Sequence, residues 1–302
     1  MSTPLKIVIP LAVADANITA SNVALETAWS AGTYTLGQKA RVGERMFEVS
    51  VASTTQEASA TATDWFDVGP ANRYAAFDRQ VGIDKYRVVE TKTSNAESIT
   101  YTIESLTRIG GIAMFGLQAK TISIVATVST TGDAANIAYT LKDATQYEGS
   151  MWRWMFLPQS FERKYLNLAI NIPQGASIAI TIANTGDTAK VGTIAFGIVS
   201  EFGIVGTGTA KKLKSRSFKK TDGTLTSLLQ RTTSSIVSYN VTLLDYEGDA
   251  FWREMQDIDG IGAVFSASDL YSEFSIYGTL SSANPTAVGL GASKATIEAE
   301  EL

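Results

Sequence analysis

The tightest constraint on this chain is a hydrophobic period of two. Ile99, Tyr101 and Ile103 alternate with Thr100, Thr102 and Glu104, and Ile122, Ile124, Ala126 and Val128 alternate with Thr121, Ser123 and Thr127. The pattern returns at Leu168, Ile170 and Ile172, at Ile178, Ile180 and Ile182, at Val237, Tyr239, Val241 and Leu243, and at Ala295, Ile297 and Ala299. Successive side chains of a strand point to opposite faces, so such runs describe strands with one face in a core and the other in water. Turn residues punctuate them, with Thr-Gly-Asp at 131–133, Pro173-Gln-Gly175, Asn184-Thr-Gly-Asp187 and Thr221-Asp-Gly223, at the intervals of sandwiches and barrels. One segment has helical spacing instead. Phe251, Met255 and Ile258 recur three to four apart within residues 248–258, and Asp249 suits the first turn of a helix. The expected fold is mainly β, with one α-helix.

Composition then narrows the chemistry. The 302 residues include no Cys and no His. A disulfide framework, a zinc finger, an iron–sulfur cluster and a thiolate nucleophile are excluded, and so are the Ser-His-Asp relay and the imidazole metal ligand. Carboxylate chemistry, a lysine Schiff base or an oxygen-ligand cation site remain open to an enzyme. A chain of this length can bury a sizeable core and suggests two domains, or a large all-β domain with a smaller companion. The net charge of -5 disfavours a general electrostatic grip on nucleic acid. The opening MSTPLKIVIPLAVADA is interrupted by Pro10 and Asp15, too short an apolar run for a membrane span and without the basic flank of a secretory signal. It reads as a buried first strand, and no membrane insertion is expected.

Charge is unevenly spread. Six of the 25 basic side chains, Lys211, Lys212, Lys214, Arg216, Lys219 and Lys220, lie in residues 211–220, directly after the glycine-rich run at 203–208. Such a strip is either an exposed edge strand protected by lysine or a docking surface for an acidic partner or phosphate. The glycine run resembles a phosphate loop but carries Thr209 where the lysine belongs, and no helical pattern follows, so a hinge between β-domains describes it better. Asp257-Ile-Asp259-Gly260 begins like a calcium loop and then turns apolar, which reads as a turn. The pairs Asp64 and Asp67, or Asp143 and Glu148, could flank a glycosidic bond, yet nothing distinguishes them from solvated turn residues.

Residues 29–66 hold a more specific pattern. Trp29, Gly32, Tyr34, Gly37, Val42, Gly43 and Phe47 follow two short strands with glycine turns, and Asp64-Trp65-Phe66 comes after a Thr/Ala/Ser-rich loop. This resembles the small chitin-binding type β-module, in which exposed aromatic faces stack on sugar rings. Gln38 and the Gly32–Tyr34 spacing depart from that pattern. The resemblance makes Trp29, Tyr34 and Trp65 candidate glycan-stacking residues. The alternative is that the aromatics form the core of a module too small to have another.

A second resemblance spans most of the chain. Trp65-Phe-Asp-Val-Gly69-Pro70-Ala-Asn72-Arg73-Tyr74-Ala-Ala-Phe77-Asp78 resembles a stretch of tailed-bacteriophage virion proteins of the tail tip or baseplate. Further landmarks are Ile7-Val-Ile-Pro10, Trp152-Arg-Trp154-Met-Phe156-Leu-Pro158, the lysine-rich strand 211–220, the helix at 248–258 and the closing strand that ends Glu298, Glu300, Glu301, Leu302. The resemblance implies a lectin- or jelly-roll-like β-sandwich over 1–205 with the small module inserted at about 21–66. It also implies a β-domain over 206–302 with one α-helix that docks on a tail tube or hub. It further implies a noncatalytic virion component without cofactor or metal, assembled in the host cytoplasm into a three- or six-fold ring that joins the tube or hub to fibres. Host surface glycan is the alternative partner. Within the motif, Gly69 and Pro70 shape a turn, Asn72 and Asp78 can bond nearby backbone, Arg73 can clamp a carboxylate or carbonyl, and Tyr74 and Phe77 can pack together. These residues read as a structural clasp. The lysine strip and the acidic end are expected to meet across subunits. Trp152, Trp154 and Phe156 alternate, which predicts one sheet face.

Overall fold

The computed structural model describes residues 3–81, 87–88, 90–105, 107–128, 134–141, 151–156, 161–215, 217–222, 225–229, 233–267, 272–289 and 292–302. It is mainly β, and the strand pairings whose register is described are antiparallel. The expected turn at 131–133, the pair Asp143 and Glu148, Pro158, Arg216 and Gly223 lie outside the described residues.

The chain forms two compact units, one of residues 1–10 with 196–302 and the other of residues 11–195. The expected division at 205/206 is corrected accordingly, and the opening strand belongs with the C-terminal residues. The cause is pairing. Strand Leu5–Val8 lies between Val199–Phe202, where Ile7 faces Ser200, and Ala263–Ser266, where Ile7 faces Phe265.

In the unit that contains both ends of the chain, the sheet runs from Val199–Phe202 through Leu5–Val8, Ala263–Ser266, Ser275–Gly289, Ala292–Glu301 and Ser234–Leu244 to Ile204–Val205. Its first and last strands are consecutive in sequence, with Gly203 alone between them, so the sheet closes on itself. Gly203 has φ 47°, and a Cβ there would stand 2.3 Å from the Thr242 carbonyl oxygen, so the crossing requires glycine. The run at 203–208 is therefore no hinge between units. Val205 donates to the Thr3 carbonyl and Gly206 to that of Asn240, which pins the run along the sheet. Inside the closed sheet the alternating residues meet in complementary sizes: Tyr239 faces Ile297, Val237 faces Ala299 and Val241 faces Ala295. The expected helix is Gly248–Asp257; Phe251 and Met255 are buried in the same core, where Phe251 stands edge-on to Phe202 with ring centroids 5.5 Å apart. Its C-terminal end turns through Asp259 and Gly260 as the sequence suggests, with Ile261 donating to the Ile258 carbonyl.

The second unit is built on a five-stranded sheet and a three-stranded sheet, the two-layer arrangement of a β-sandwich type. In the larger sheet, Tyr101 and Ile124 flank Ile180, and Ile99 and Ile122 flank Ile182, all of them buried. Three expectations need correction here. Asn184-Thr-Gly-Asp187 does not reverse the chain; it lies within strand Ala176–Val191, where the register jumps from Ser98↔Ala183 to Ala96↔Thr188. Four residues on one strand thus stand opposite Glu97, a large bulge that bends the strand without ending it. Leu168 to Ile172 is not a strand either, because regular pairing stops at Asn167 and resumes only as a bridge between Ile172 and Ile109. Trp152 and Phe156, expected on one sheet face, belong to the short α-helix Met151–Phe156, where they are four residues apart with centroids at 4.1 Å. Among described residues, no helix is long and apolar enough to cross a membrane.

Candidate functional site

Three sets of residues stand out in the sequence, and the structure treats each differently. The aromatic module consists of the sheet Lys39–Val42, Arg45–Val49 and Trp65–Pro70 beside the short pair Tyr34–Thr35 and Ser53–Thr54. Trp65 is only 4% exposed and packs with Ala40, Phe47, Val49 and Ala58. Its indole N–H donates to the Gln56 carbonyl at 3.0 Å. Tyr34 stands edge-on to Trp65 with centroids 5.1 Å apart, and its hydroxyl both receives the Ser30 N–H and donates to the Ser30 carbonyl. Trp29 leans on the same core, half-buried, with its indole nitrogen buried and unpartnered. The three residues are therefore brought together around one small core, with Trp65 buried in it and Trp29 and Tyr34 packed against it and partly exposed. Trp65 as a glycan-stacking residue is corrected, because a buried ring presents no face to a ligand. Asp64, offered as one carboxylate of a pair, accepts from Thr54 at 2.6 Å, whereas Asp67 is held by Arg45 at 2.8 Å.

The stretch 69–78 is stitched into the Leu11–Ala195 unit at nearly every residue. Gly69 has φ 128° where the register slips past Val68, and its N–H donates to Asp67. Pro70 closes the strand opposite Arg45. Asn72 gives its side-chain N–H to the Ser94 carbonyl at 2.8 Å and accepts the Ser94 N–H at 2.9 Å, imitating one rung of a ladder. Arg73 donates two N–H groups to the Val23 carbonyl, at 3.0 and 2.8 Å. The buried Tyr74 hydroxyl donates to Asp15, and burial followed by that acidic partner pushes its pKa up to about 12. Phe77 stands edge-on to Tyr101, whose hydroxyl donates to the Arg73 carbonyl and whose pKa is raised by burial. Asp78 accepts the Gln80 N–H and, with Asp67, flanks the Arg45 guanidinium.

Several partners were not singled out in the sequence: Asp15, Val23, Arg45, Thr93 and Tyr101. Their contacts span from 8 to 59 residues of sequence, and no local spacing announces them.

The basic strip is two strands, Ala210–Lys214 and Phe218–Asp222. The first pairs with Ser234–Leu244, and all five of its residues are exposed, including Leu213 at 72%. Lys214 meets Glu300 of its own chain at 2.8 Å, so this pair, expected between subunits, is satisfied internally. Register explains it: Lys214 lies opposite Ser234 and Glu300 opposite Ile236, with Ser234–Leu244 between their strands. Among the described residues, no side-chain hydrogen bond or ion pair engages Lys211, Lys212 or Glu298. Lys219 and Lys220 lie on the second strand, paired with Leu228 and Ser227.

Among described residues, no cluster of three or more metal-ligating side chains occurs. The chain matches no known protein family, no curated protein and no solved structure.

Proposed function

We propose that this chain is a noncatalytic structural component of a tailed-phage particle, at the tail tip or baseplate, where copies form a three- or six-fold ring between the tube or hub and the fibres. The observation that carries the reading is the strand Ala210–Lys214. It hydrogen-bonds on one side to Ser234–Leu244, and every one of its residues is exposed, with the apolar Leu213 set between Lys212 and Lys214. An exposed strand edge is a template for another chain, and the flanking lysines make pairing conditional on a partner that supplies negative charge. Glu298 and Glu301, on the strand Ala292–Glu301 one strand removed from this edge in the same sheet, are such groups on a second copy. The phage assignment rests on the resemblance of the Trp65–Asp78 stretch and its companion landmarks. The clasp supports it by giving those residues a structural role.

Sedimentation velocity and electron microscopy of the full chain test the ring. Weak, concentration-dependent association into closed rings is expected, reduced by salt and abolished by Leu213→Asp while the melting temperature stays the same. A chain that remains monomeric throughout the micromolar to millimolar range, alone and with tail tubes, rules the ring out. Antibody labelling of particles that carry the protein is expected to mark the end of the tail.

A further inference from the structure

We propose that the Leu11–Ala195 unit holds a binding pocket for an acidic oligosaccharide, a polyhydroxylated ligand bearing carboxylate, sulfate or phosphate groups. A cavity of about 710 Å³ is lined by Lys92, Lys120, Arg163 and Lys190, with Asp187 as its one carboxylate. Local charge thus opposes that of the chain, whose net charge is -5.

Backbone pairing assembles this cluster from four separate segments. Gln118 and Lys190 exchange N–H···O bonds at 2.9 and 3.1 Å, Leu117 donates to the Arg163 carbonyl, and Lys120 donates to that of Ala183. Lys92 adjoins Thr93, which pairs with Val191 next to Lys190. The bulge at Asn184–Asp187 leaves the ladder at this point and forms one wall. The bulge and the cationic cluster are therefore the same feature.

The cations are uncompensated within the described residues. Asp187 is already engaged by the Thr188 N–H at 2.6 Å and by Gln118 Nε2 at 3.3 Å. Lys120 donates to the Thr185 carbonyl at 2.8 Å and so braces the bulge, whereas Lys92, Arg163 and Lys190 have neither a side-chain hydrogen bond nor a salt bridge. Converging like charges cost folding energy unless an anion joins them. The volume lies within the roughly 300–1,000 Å³ of small-molecule sites and far exceeds one inorganic oxyanion. The remaining lining suits hydroxyl groups: the Gln118 and Asn184 amides, the Thr185 hydroxyl, and the half-buried Phe161 ring as an apolar wall. Apart from the Asn184–Asp187 run, which the sequence offers only as a turn, the lining lies outside the residue sets singled out in the sequence, and the pocket stands whether or not copies form a ring.

Titration calorimetry of the full chain with trigalacturonate, a heparin tetrasaccharide, neutral maltotriose and pyrophosphate tests the proposal. The two acidic sugars separate a carboxylate from a sulfate source, and binding of either supports the site. Lys190→Gln and Arg163→Gln are each expected to weaken it about tenfold, with loss of affinity in added salt and a melting temperature of the ligand-free chain that does not fall. Failure of both acidic sugars to bind overturns the proposal, as does equal affinity in the double variant. Pyrophosphate or maltotriose binding as tightly as the acidic sugars also overturns it, because the site would then read only charge or only hydroxyls.

Discussion

Tyr74 shows how much one residue of the motif carries. Its ring is buried, its hydroxyl donates to Asp15, and its backbone N–H and carbonyl form the turn with Ala71, Phe77 and Asp78. Burial and the neighbouring carboxylate raise its pKa from 10.0 to about 12, so the folded state retains a proton that the unfolded chain would release. The stability this confers is complete below pH 10 and is lost as pH rises towards 12. Denaturant melts at a series of pH values are expected to show a steep alkaline loss. Tyr74→Phe should lower stability by about 1–2 kcal/mol at neutral pH and make that alkaline loss shallower. Asn72 was legible as a residue that bonds nearby backbone, and Arg73 as a clamp for either a carboxylate or a carbonyl, because amide and guanidinium groups offer those donors. Which carbonyl each would hold was not legible: Val23 lies 50 residues from Arg73, and nothing near Val23 marks it. Trp65 was open between ligand and core, and packing decided for core.

Elements follow the same division. The strand Ser234–Leu244 and its partner Ala292–Glu301 could be read from Val237 to Leu243 and from Ala295 to Ala299, where each buried position falls on the predicted alternation; the buried Ser234 and Ser235 lie outside it. The helix Gly248–Asp257 was equally plain from Phe251 and Met255. The helix Met151–Phe156 was missed because a pattern of aromatic residues two apart also fits a strand, and six residues give too little length to separate the periods. At the basic strand, sequence suggested a charged docking surface, while register placed Lys214 against Glu300 of the same chain. That pair is partly exposed and contributes at most about 1 kcal/mol. Lys214→Glu or Glu300→Lys alone should lower the melting temperature slightly, and the double reversal should restore it. Chemical denaturation of the four chains measures the coupling, and equal stability of single and double variants would dissolve the pairing.

At the scale of the molecule, the second unit is an insertion between two neighbouring strands of the first. Val8 and Val199 are cross-strand partners, so the chain leaves and re-enters the closed sheet at adjacent positions. Ends so placed can be bridged by a short loop at small entropic cost. Replacing residues 11–195 with a short Gly/Asn turn should therefore give a chain that unfolds cooperatively and retains tertiary near-ultraviolet circular dichroism; a molten product would show that the closed sheet needs its insertion. By itself the sequence determined that the protein is mainly β, where the C-terminal helix lies, and which chemistries lack their side chains. These depend on local periodicity and composition, and both are written within a few residues. Only the tertiary structure decided that residues 199–205 close one sheet, that the first strand joins the last hundred residues, that Trp65 and Phe47 face the module's interior, and that four distant cations share one cavity. Those outcomes come from pairings between segments far apart in sequence, where the same alternating strand can join many partners and packing selects one.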